Sequence, residues 1–190
     1  MPRKPDARLE DNILNAAYKL WVGGGEPALT MRAVARAAGT TTPTLYERFK
    51  DKAALLSALQ TRAQQKLYEA IKPSQSITEA CEAALEFTMG HGHEYQLVAR
   101  EWAARLSRNE PTPSLDLIRS RLAEQIGGPP DDHFQLALGL ATLYHGASML
   151  LLGEGIQPHT SQVIKEACIA AVDSLVASAA SGSSQKRAGD

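Results

Sequence analysis

The stretch Leu29–Leu56, LTMRAVARAAGTTTPTLYERFKDKAALL, contains two short helical patterns separated by a glycine turn. Thr30 has the side chain of a helix N-cap, and the helix that it opens ends at Gly39. Three threonines then open a second helix with Pro43 in its first turn, where the missing backbone N–H breaks no hydrogen bond. The stretch therefore predicts two helices of about two turns each, joined by a tight turn.

Three residues of this stretch favour a close crossing of the two helices. Ala35 is small enough to lie at the crossing, Gly39 frees the backbone of the turn, and Leu45 can hold the second helix against the first. This combination is typical of a helix-turn-helix, in which the second helix enters the major groove of DNA.

Helical spacing of apolar residues continues on both sides of this stretch, and no stretch of clean period-2 alternation is present. A first helix runs from about Leu9 to the glycine run that starts at Gly23, and Asp51 caps a helix that continues to about Ile71. Breaks rich in glycine and proline separate five further helices, at about residues 76–90, 93–108, 114–126, 131–153 and 161–179. The sequence therefore predicts an all-α protein.

The end of the opening stretch fits a more specific pattern, T-L-Y-x-x-F-x-x-K-x-x-L-L, which is found near the N-terminus of TetR-type (tetracycline-repressor-like) transcriptional regulators. The matching residues are Thr44, Leu45, Tyr46, Phe49, Lys52, Leu55 and Leu56. The chain resembles this family over about residues 9–60, and its remainder is similar only in helix count and character.

The resemblance implies an N-terminal three-helix domain with the helix-turn-helix, followed by a larger helical ligand-binding and dimerisation domain. We expect these domains at residues 1–52 and 53–180, with a disordered polar tail at residues 181–190. The implied function is that of a ligand-responsive regulator, expected to be a repressor, that binds a palindromic double-stranded DNA operator as a homodimer and is released by an unknown small-molecule effector. The alternative is a small helical ligand-binding or adaptor protein without specific DNA binding.

Base recognition is expected from the start of the second helix of the motif and from one arginine of the first. The second helix would bring its N-terminal residues nearest the base edges, where a threonine hydroxyl can donate or accept and a threonine methyl can touch thymine. Arg32 is the side chain near this end that can fork onto guanine O6 and N7. The residues expected at the second helix's start are Thr41, Thr42, Pro43 and Thr44.

Phosphate contacts are expected from hydroxyls and cations around the same motif, because such groups position a protein on DNA without reading its sequence. The candidates are Thr30, Tyr46, Arg48, Lys50 and Lys52, of which Tyr46 and Lys52 take this role from the resemblance. Three alternatives stay open at this point. Tyr46 could pack on the core, the two lysines could be a solvated helix start, and the threonines could serve only as caps.

The overall charge of −1 is the sum of a positively charged N-terminal part and a negatively charged remainder of the chain. Residues 1–52 hold nine Lys and Arg against six Asp and Glu, whereas residues 53–190 hold eleven against fifteen. A uniformly basic protein is therefore excluded, but the N-terminal part carries the net positive charge that a DNA-binding domain needs.

The helix at 131–153 is apolar on more than one face, so one layer of helices cannot cover it. We expect a second copy of the chain to cover it, together with the last helix, as the resemblance also implies. The apolar run Phe134–Leu152 could instead suggest a membrane span. It contains Tyr144, His145 and other polar residues and has no Lys or Arg at its ends, which favours a buried soluble helix and no membrane partner.

The middle helices, which in the family enclose a small-molecule pocket, contain aromatic and polarizable side chains. The candidate lining residues are Phe87, Met89, His91, Tyr95 and Trp102. Such a stripe at helical spacing is also typical of a plain core, and this alternative stays open.

No catalytic, metal or cofactor site is predicted. Nucleophile elbows, phosphate loops and His-Glu-x-x-His are absent, and His91-x-His93-Glu94 does not place both imidazoles on one helix face.

The start of the chain has no apolar segment of a secretory signal, so we expect a cytoplasmic protein. Cys81 and Cys168 are expected to be buried, reduced thiols.

Overall fold

The computed structural model describes residues 7–108 and 110–188, and within these ranges it is helical and contains no strand. This confirms the predicted all-α fold. The helices are α1 (Ala7–Ala28), α2 (Met31–Ala37), α3 (Thr42–Arg48), α4 (Lys52–Ile71), α5 (Ile77–Gly90), α6 (Gly92–Ser107), α7 (Pro113–Ile126), a 3-10 turn (Pro130–His133), α8 (Phe134–Leu151) and α9 (Pro158–Ala188).

The first compact unit ends at Ala63 and contains α1, α2, α3 and the first turns of α4. Its core includes Ile13, Val34 and Leu45, which have no exposed surface. The regular part of α1 stops at the predicted glycine run, because Gly24 and Gly25 leave helical backbone angles (φ −161° and +61°). The sequence placed the domain boundary at 52–53, at the start of α4. The first compact unit extends into α4, whose first turns are also buried at Leu55 and Leu59.

The second compact unit begins at Gln64 and is built around α5, α7, α8 and α9. Its core contains Leu85 from α5, Leu122 from α7, Leu140 from α8 and Val172 from α9, each at most 5% exposed. The four helices pack on one another through these small and medium apolar side chains.

The last helix is longer than the sequence predicted. It extends to Ala188, so residues 181–188 of the expected disordered tail are helical, and residues 189–190 lie outside the described ranges. No proline follows the predicted end at 179, so the helix can continue through Gly182 and its neighbouring serines into the run QKRA.

One segment, Pro130–Leu151, is long and apolar enough to cross a membrane by length and composition. Within the second unit α8 packs against α5, α7 and α9 and buries Ala137, Leu140 and Ala147. A helix that contributes to a core in this way passes the same test, so the segment does not by itself indicate a membrane protein.

Candidate nucleic-acid interface and ligand cavity

The predicted helix-turn-helix is present as α2, a glycine turn and α3. The Ala33 N–H donates to Thr30 Oγ1 at 3.1 Å, which caps α2, and the Thr44 N–H donates to Thr41 Oγ1 at 3.3 Å, which caps α3. Gly39 lies between the helices with φ +67°, a conformation that favours glycine.

Packing of the motif follows the roles predicted for its small and apolar residues. Ala35 is 2% exposed and Leu45 is fully buried, while α2 and α3 pack on each other. The buried leucine fixes α3 against α2, so the opposite face of α3 is left at the surface.

The base-reading candidates lie at the start of this exposed face, but they do not have equal freedom. Thr41 and Thr44 share a hydroxyl hydrogen bond at 2.9 Å and also form the cap of α3. Their capping role, left open by the sequence, is therefore real. Arg32 and Pro43 are exposed and Thr42 is half-buried, so the arginine, the proline ring and the Thr42 hydroxyl are better placed to meet a base.

The phosphate-binding candidates also reach the surface. Tyr46 is 51% exposed, so the alternative that it packs in the core is wrong. Thr30 and Lys50 are exposed and Arg48 is half-buried, and they are placed around the same two helices.

Lys52 has a structural partner that the sequence did not reveal. Its Nζ donates to the Glu26 carbonyl oxygen at 2.8 Å and lies 3.8 Å from Glu26 Oε1. The contact joins the start of α4 to the end of α1, 26 residues earlier in the chain, and no local spacing rule predicts it. The Lys52 ammonium thus holds the three-helix unit together whether or not it also meets a phosphate.

The second unit encloses a cavity of about 110 Å³. It is lined from six helices, α4 to α9, and the wall is predominantly apolar. Among the described residues that line it, none is Lys, Arg, Asp or Glu. Its wall includes the side chains of Cys81, Tyr95, Trp102, Tyr144, His145 and Val172.

One group of polar side chains in the cavity wall lies where α6 faces α8. The Tyr95 hydroxyl lies 2.7 Å from His145 Nδ1, and the Trp102 ring lies 5.7 Å from the His145 ring. Burial raises the pKa of Tyr95 to about 12, so its phenol stays protonated and can donate to the imidazole. With Nδ1 occupied by Tyr95, Nε2 is the ring nitrogen left for a ligand.

A second polar group next to this one is already satisfied within the protein. The Tyr144 hydroxyl donates to the Ala84 carbonyl at 3.2 Å and lies 2.9 Å from Thr88 Oγ1, which in turn lies 3.1 Å from Ser148 Oγ. Burial, and then the neighbouring Tyr95, raise the pKa of Tyr144. This group therefore fixes the packing of α5 on α8 and keeps few polar atoms for a ligand.

The structure brings only two of the five predicted lining residues, Tyr95 and Trp102, to the cavity. Phe87 is buried but stacks on His91 with ring centroids 5.0 Å apart, and neither lines the cavity. Met89 is 52% exposed. It lies about 100° around α5 from Thr88, which faces α8, so it points away from the core. Phe87, Met89 and His91 therefore lie outside the wall of this cavity.

Sequence reasoning missed the contribution of α8, because it assigned that helix to the dimer interface alone. Tyr144 and His145 were visible as polar residues in an otherwise apolar helix, which is a usable signal for a polar cavity wall. The contributions of α4, α7 and α9 carry no such signal, since Leu67, Leu115 and Val172 are ordinary core residues in the sequence.

The comparisons with known proteins agree with this geometry. Residues 13–59 match the family model of bacterial regulatory proteins, tetR family. The chain is 30% identical over 132 residues to the HTH-type transcriptional repressor KstR2 of Mycolicibacterium smegmatis, a match that covers 65% of this chain and 62% of that protein. The match thus spans about three fifths of the relative's length.

Solved structures show the same fold over most of the chain. A TetR-like transcriptional regulator from Rhodococcus sp. RHA1 is similar with a TM-score of 0.61 over 92% of this chain and 96% of that one, at 21% identity. A TetR-family transcriptional regulator from Streptomyces coelicolor is similar with a TM-score of 0.68 over 96% of this chain and 86% of that one, at 17% identity. The chain is thus similar to the tetR family of bacterial regulatory proteins at residues 13–59, and it has the fold of these solved regulators over most of its length.

Proposed function

We propose that this protein is a cytoplasmic homodimeric repressor that binds a palindromic double-stranded DNA operator and is released by a small-molecule effector. The observation that carries the proposal is the division of α3 into two faces. Leu45 is fully buried on one face, while Tyr46 is 51% exposed on another, and Arg32 of α2 and Pro43 of α3 are also exposed. A short helix held in this way leaves polar side chains exposed, and DNA is the partner that the family match supports.

In the proposed complex, Arg32 forks onto a guanine, and the Thr42 hydroxyl and Pro43 ring meet neighbouring bases. Thr30, Tyr46, Arg48 and Lys50 bind phosphates, with the capping pair Thr41 and Thr44 holding the start of α3 in place. Lys52 supports this surface through Glu26 and adds positive charge near the backbone.

The proposed effector site is the cavity of the second unit. Its wall lacks formal charges among the described residues, so a charged ligand would lose its hydration without a compensating ion pair. We therefore propose an uncharged, mainly apolar effector with one hydrogen-bond acceptor, such as a carbonyl, that accepts from His145 Nε2. The Tyr95 hydroxyl holds the imidazole in the tautomer that makes this donation possible.

Homodimerisation is proposed through α8 and α9. Both helices leave large apolar side chains uncovered in a single chain, with exposed fractions of 50% for Met149, 61% for Leu150, 48% for Val163 and 44% for Leu175. A second copy would cover these residues and would pair two recognition helices for a palindromic site. Effector binding would then favour a dimer conformation that no longer spans both half-sites.

The test is a fluorescence anisotropy titration of the full chain against DNA from the region flanking its own gene and against random DNA, each at two salt concentrations. We expect sequence-selective and salt-dependent binding by a dimer. Arg32→Ala should reduce binding to the selected site and relax preference at one base pair. Lys50→Ala should weaken both DNAs equally and lower the salt slope by about 1.

Lys72→Ala, which removes one exposed positive charge just after α4, is the matched control and should change neither quantity. Equal effects of Arg32→Ala on selected and random DNA would contradict the role given to Arg32. Binding without any sequence preference would favour the alternative of a helical ligand-binding or adaptor protein.

A further inference from the structure

The two cysteines of the chain meet at the wall of the cavity. Cys81 of α5 and Cys168 of α9 are 87 residues apart in the sequence, and their Sγ atoms lie 3.8 Å apart. Both are free thiols and both are buried, at 8% and 4% exposed. The same two helices are joined one turn earlier on α5 by a hydrogen bond between the Thr78 hydroxyl and the Asp173 carboxylate. The thiols therefore face each other across a fixed helix contact.

The two thiols differ in their access to small molecules. Cys81 lines the cavity, together with Tyr95 and Val172, and Cys168 does not. A small molecule that enters the cavity therefore reaches the Cys81 sulfur, and Cys168 lies directly behind it.

We propose that Cys81 and Cys168 form an oxidisable dithiol, which a small hydroperoxide entering the cavity converts into an intramolecular disulfide. This modification site is separate from the effector-binding role of Tyr95 and His145. Closing the bond brings the sulfurs from 3.8 Å to the ~2.05 Å of a disulfide.

The chemistry balances with the hydroperoxide as the only co-reactant. The Cys81 sulfur attacks the terminal peroxide oxygen, the O–O bond breaks, and the parent alcohol leaves with the thiol proton, which gives a sulfenic acid. The Cys168 sulfur then attacks the Cys81 sulfur and expels the hydroxyl, which takes the Cys168 proton and leaves as water. Two thiols are oxidised by two electrons, and one peroxide is reduced to an alcohol and water, or to two waters for hydrogen peroxide.

Access through the cavity sets this order of events, and the local electrostatics distinguish the two thiols. The hydrogen bond between the thiols raises the pKa of Cys81, with burial adding to the effect, and the same bond lowers the pKa of Cys168 because a thiolate there accepts the Cys81 S–H. Cys81 meets the peroxide first because it lines the cavity, and the lowered pKa of Cys168 suits it to act afterwards as the resolving thiol.

The experiment treats the reduced full-length protein with hydrogen peroxide or tert-butyl hydroperoxide and measures intact mass and a non-reducing peptide map. We expect a loss of about 2 Da, reversed by dithiothreitol, and one linked peptide pair that contains Cys81 and Cys168. Unchanged free thiols, or a link between two copies of the chain, would overturn the proposal.

Single variants separate this mechanism from ordinary buried thiols. Cys168→Ser should stop at the sulfenic acid on Cys81, which dimedone traps, whereas Cys81→Ser should leave Cys168 unreacted because it does not line the cavity. Equal dimedone labelling of Cys168 in Cys81→Ser would overturn the route through the cavity. Circular dichroism checks folding, and Cys81→Ala replaces the serine variant if the buried hydroxyl prevents it.

A consequence for regulation rests on the proposed function. The disulfide would tie α5 to α9 at the cavity wall, and we expect operator affinity of the oxidised protein to change at least fivefold relative to the reduced protein. The Cys168→Ser protein should show no such change. A disulfide that forms without altering operator affinity would overturn this consequence, and the mass measurement tests the site even if the protein binds no operator.

Discussion

The two compact units of this protein differ in whether their candidate functional side chains are exposed or buried. In the first unit the candidate functional groups lie outside: Leu45 is fully buried so that Arg32 and Tyr46 reach the surface. In the second unit they lie inside, where Tyr95 is 2% exposed and meets His145 across a cavity. A surface site depends on one short motif and its anchor, whereas an enclosed site depends on several helices that are distant in the sequence. The first can be read from a local pattern, and the second cannot.

The largest expected effect tests whether the two units are energetically separate. Leu45→Ala and Leu122→Ala remove matched, fully buried leucines from the first and second unit. Each should cost about 2–5 kcal/mol of unfolding free energy, through lost apolar contact and the cavity left behind. Hydrogen exchange should show lower protection in α1 to α3 for the first variant and in α5, α7 and α8 for the second. Equal losses in both units for either variant would show that the units unfold as one.

The second prediction concerns the buried hydroxyl of the enclosed site. Because burial raises the pKa of Tyr95 from 10.0 to about 12, the neutral phenol stabilises the folded state below pH 10. That stability should be lost as the pH rises from 10 to 12, by roughly 2–3 kcal/mol for this group. Denaturant titrations should show a shallower decline for Tyr95→Phe, with Tyr144 still contributing in the same direction. Tyr46→Phe at the exposed site is the control, and an identical decline in Tyr95→Phe and wild type would contradict the assignment.

The third prediction tests the turn that separates α2 from α3. Gly39→Ala forces a side chain into the left-handed region at φ +67° and should destabilise the first unit by roughly 1–2 kcal/mol. Gly23→Ala, in the helical part of α1 with open space around it, should instead stabilise that unit by up to about 1 kcal/mol. Thermal unfolding of the two variants measures the contrast. A stabilising Gly39→Ala would show that the turn does not need this conformation.

The smallest expected effect concerns stability, and it compares Lys52, which contacts Glu26, with the exposed Lys50. Lys52→Ala removes the hydrogen bond to the Glu26 carbonyl and should cost about 1 kcal/mol, because the ammonium is only partly shielded from solvent at 39% exposure. Lys50→Ala, at an exposed site, should leave stability within about 0.5 kcal/mol. Chemical denaturation of both variants decides this. Equal stabilities would mean that the contact between Lys52 and Glu26 does not stabilise the first unit.

The sequence by itself determined the all-α fold, the helix-turn-helix and most of its exposed candidate residues. Helix caps, the glycine turn and the period of apolar residues act over three to eight residues, so Thr30, Gly39 and Leu45 could be assigned their roles without a structure. The tertiary structure alone decided which residues wall the cavity, that Lys52 meets Glu26, and that Cys81 meets Cys168. These contacts join helices far apart in the chain, and their geometry follows from how whole helices pack. For this reason the local pattern predicted Met89 as a cavity residue, whereas in the structure Met89 lies on the exposed side of α5.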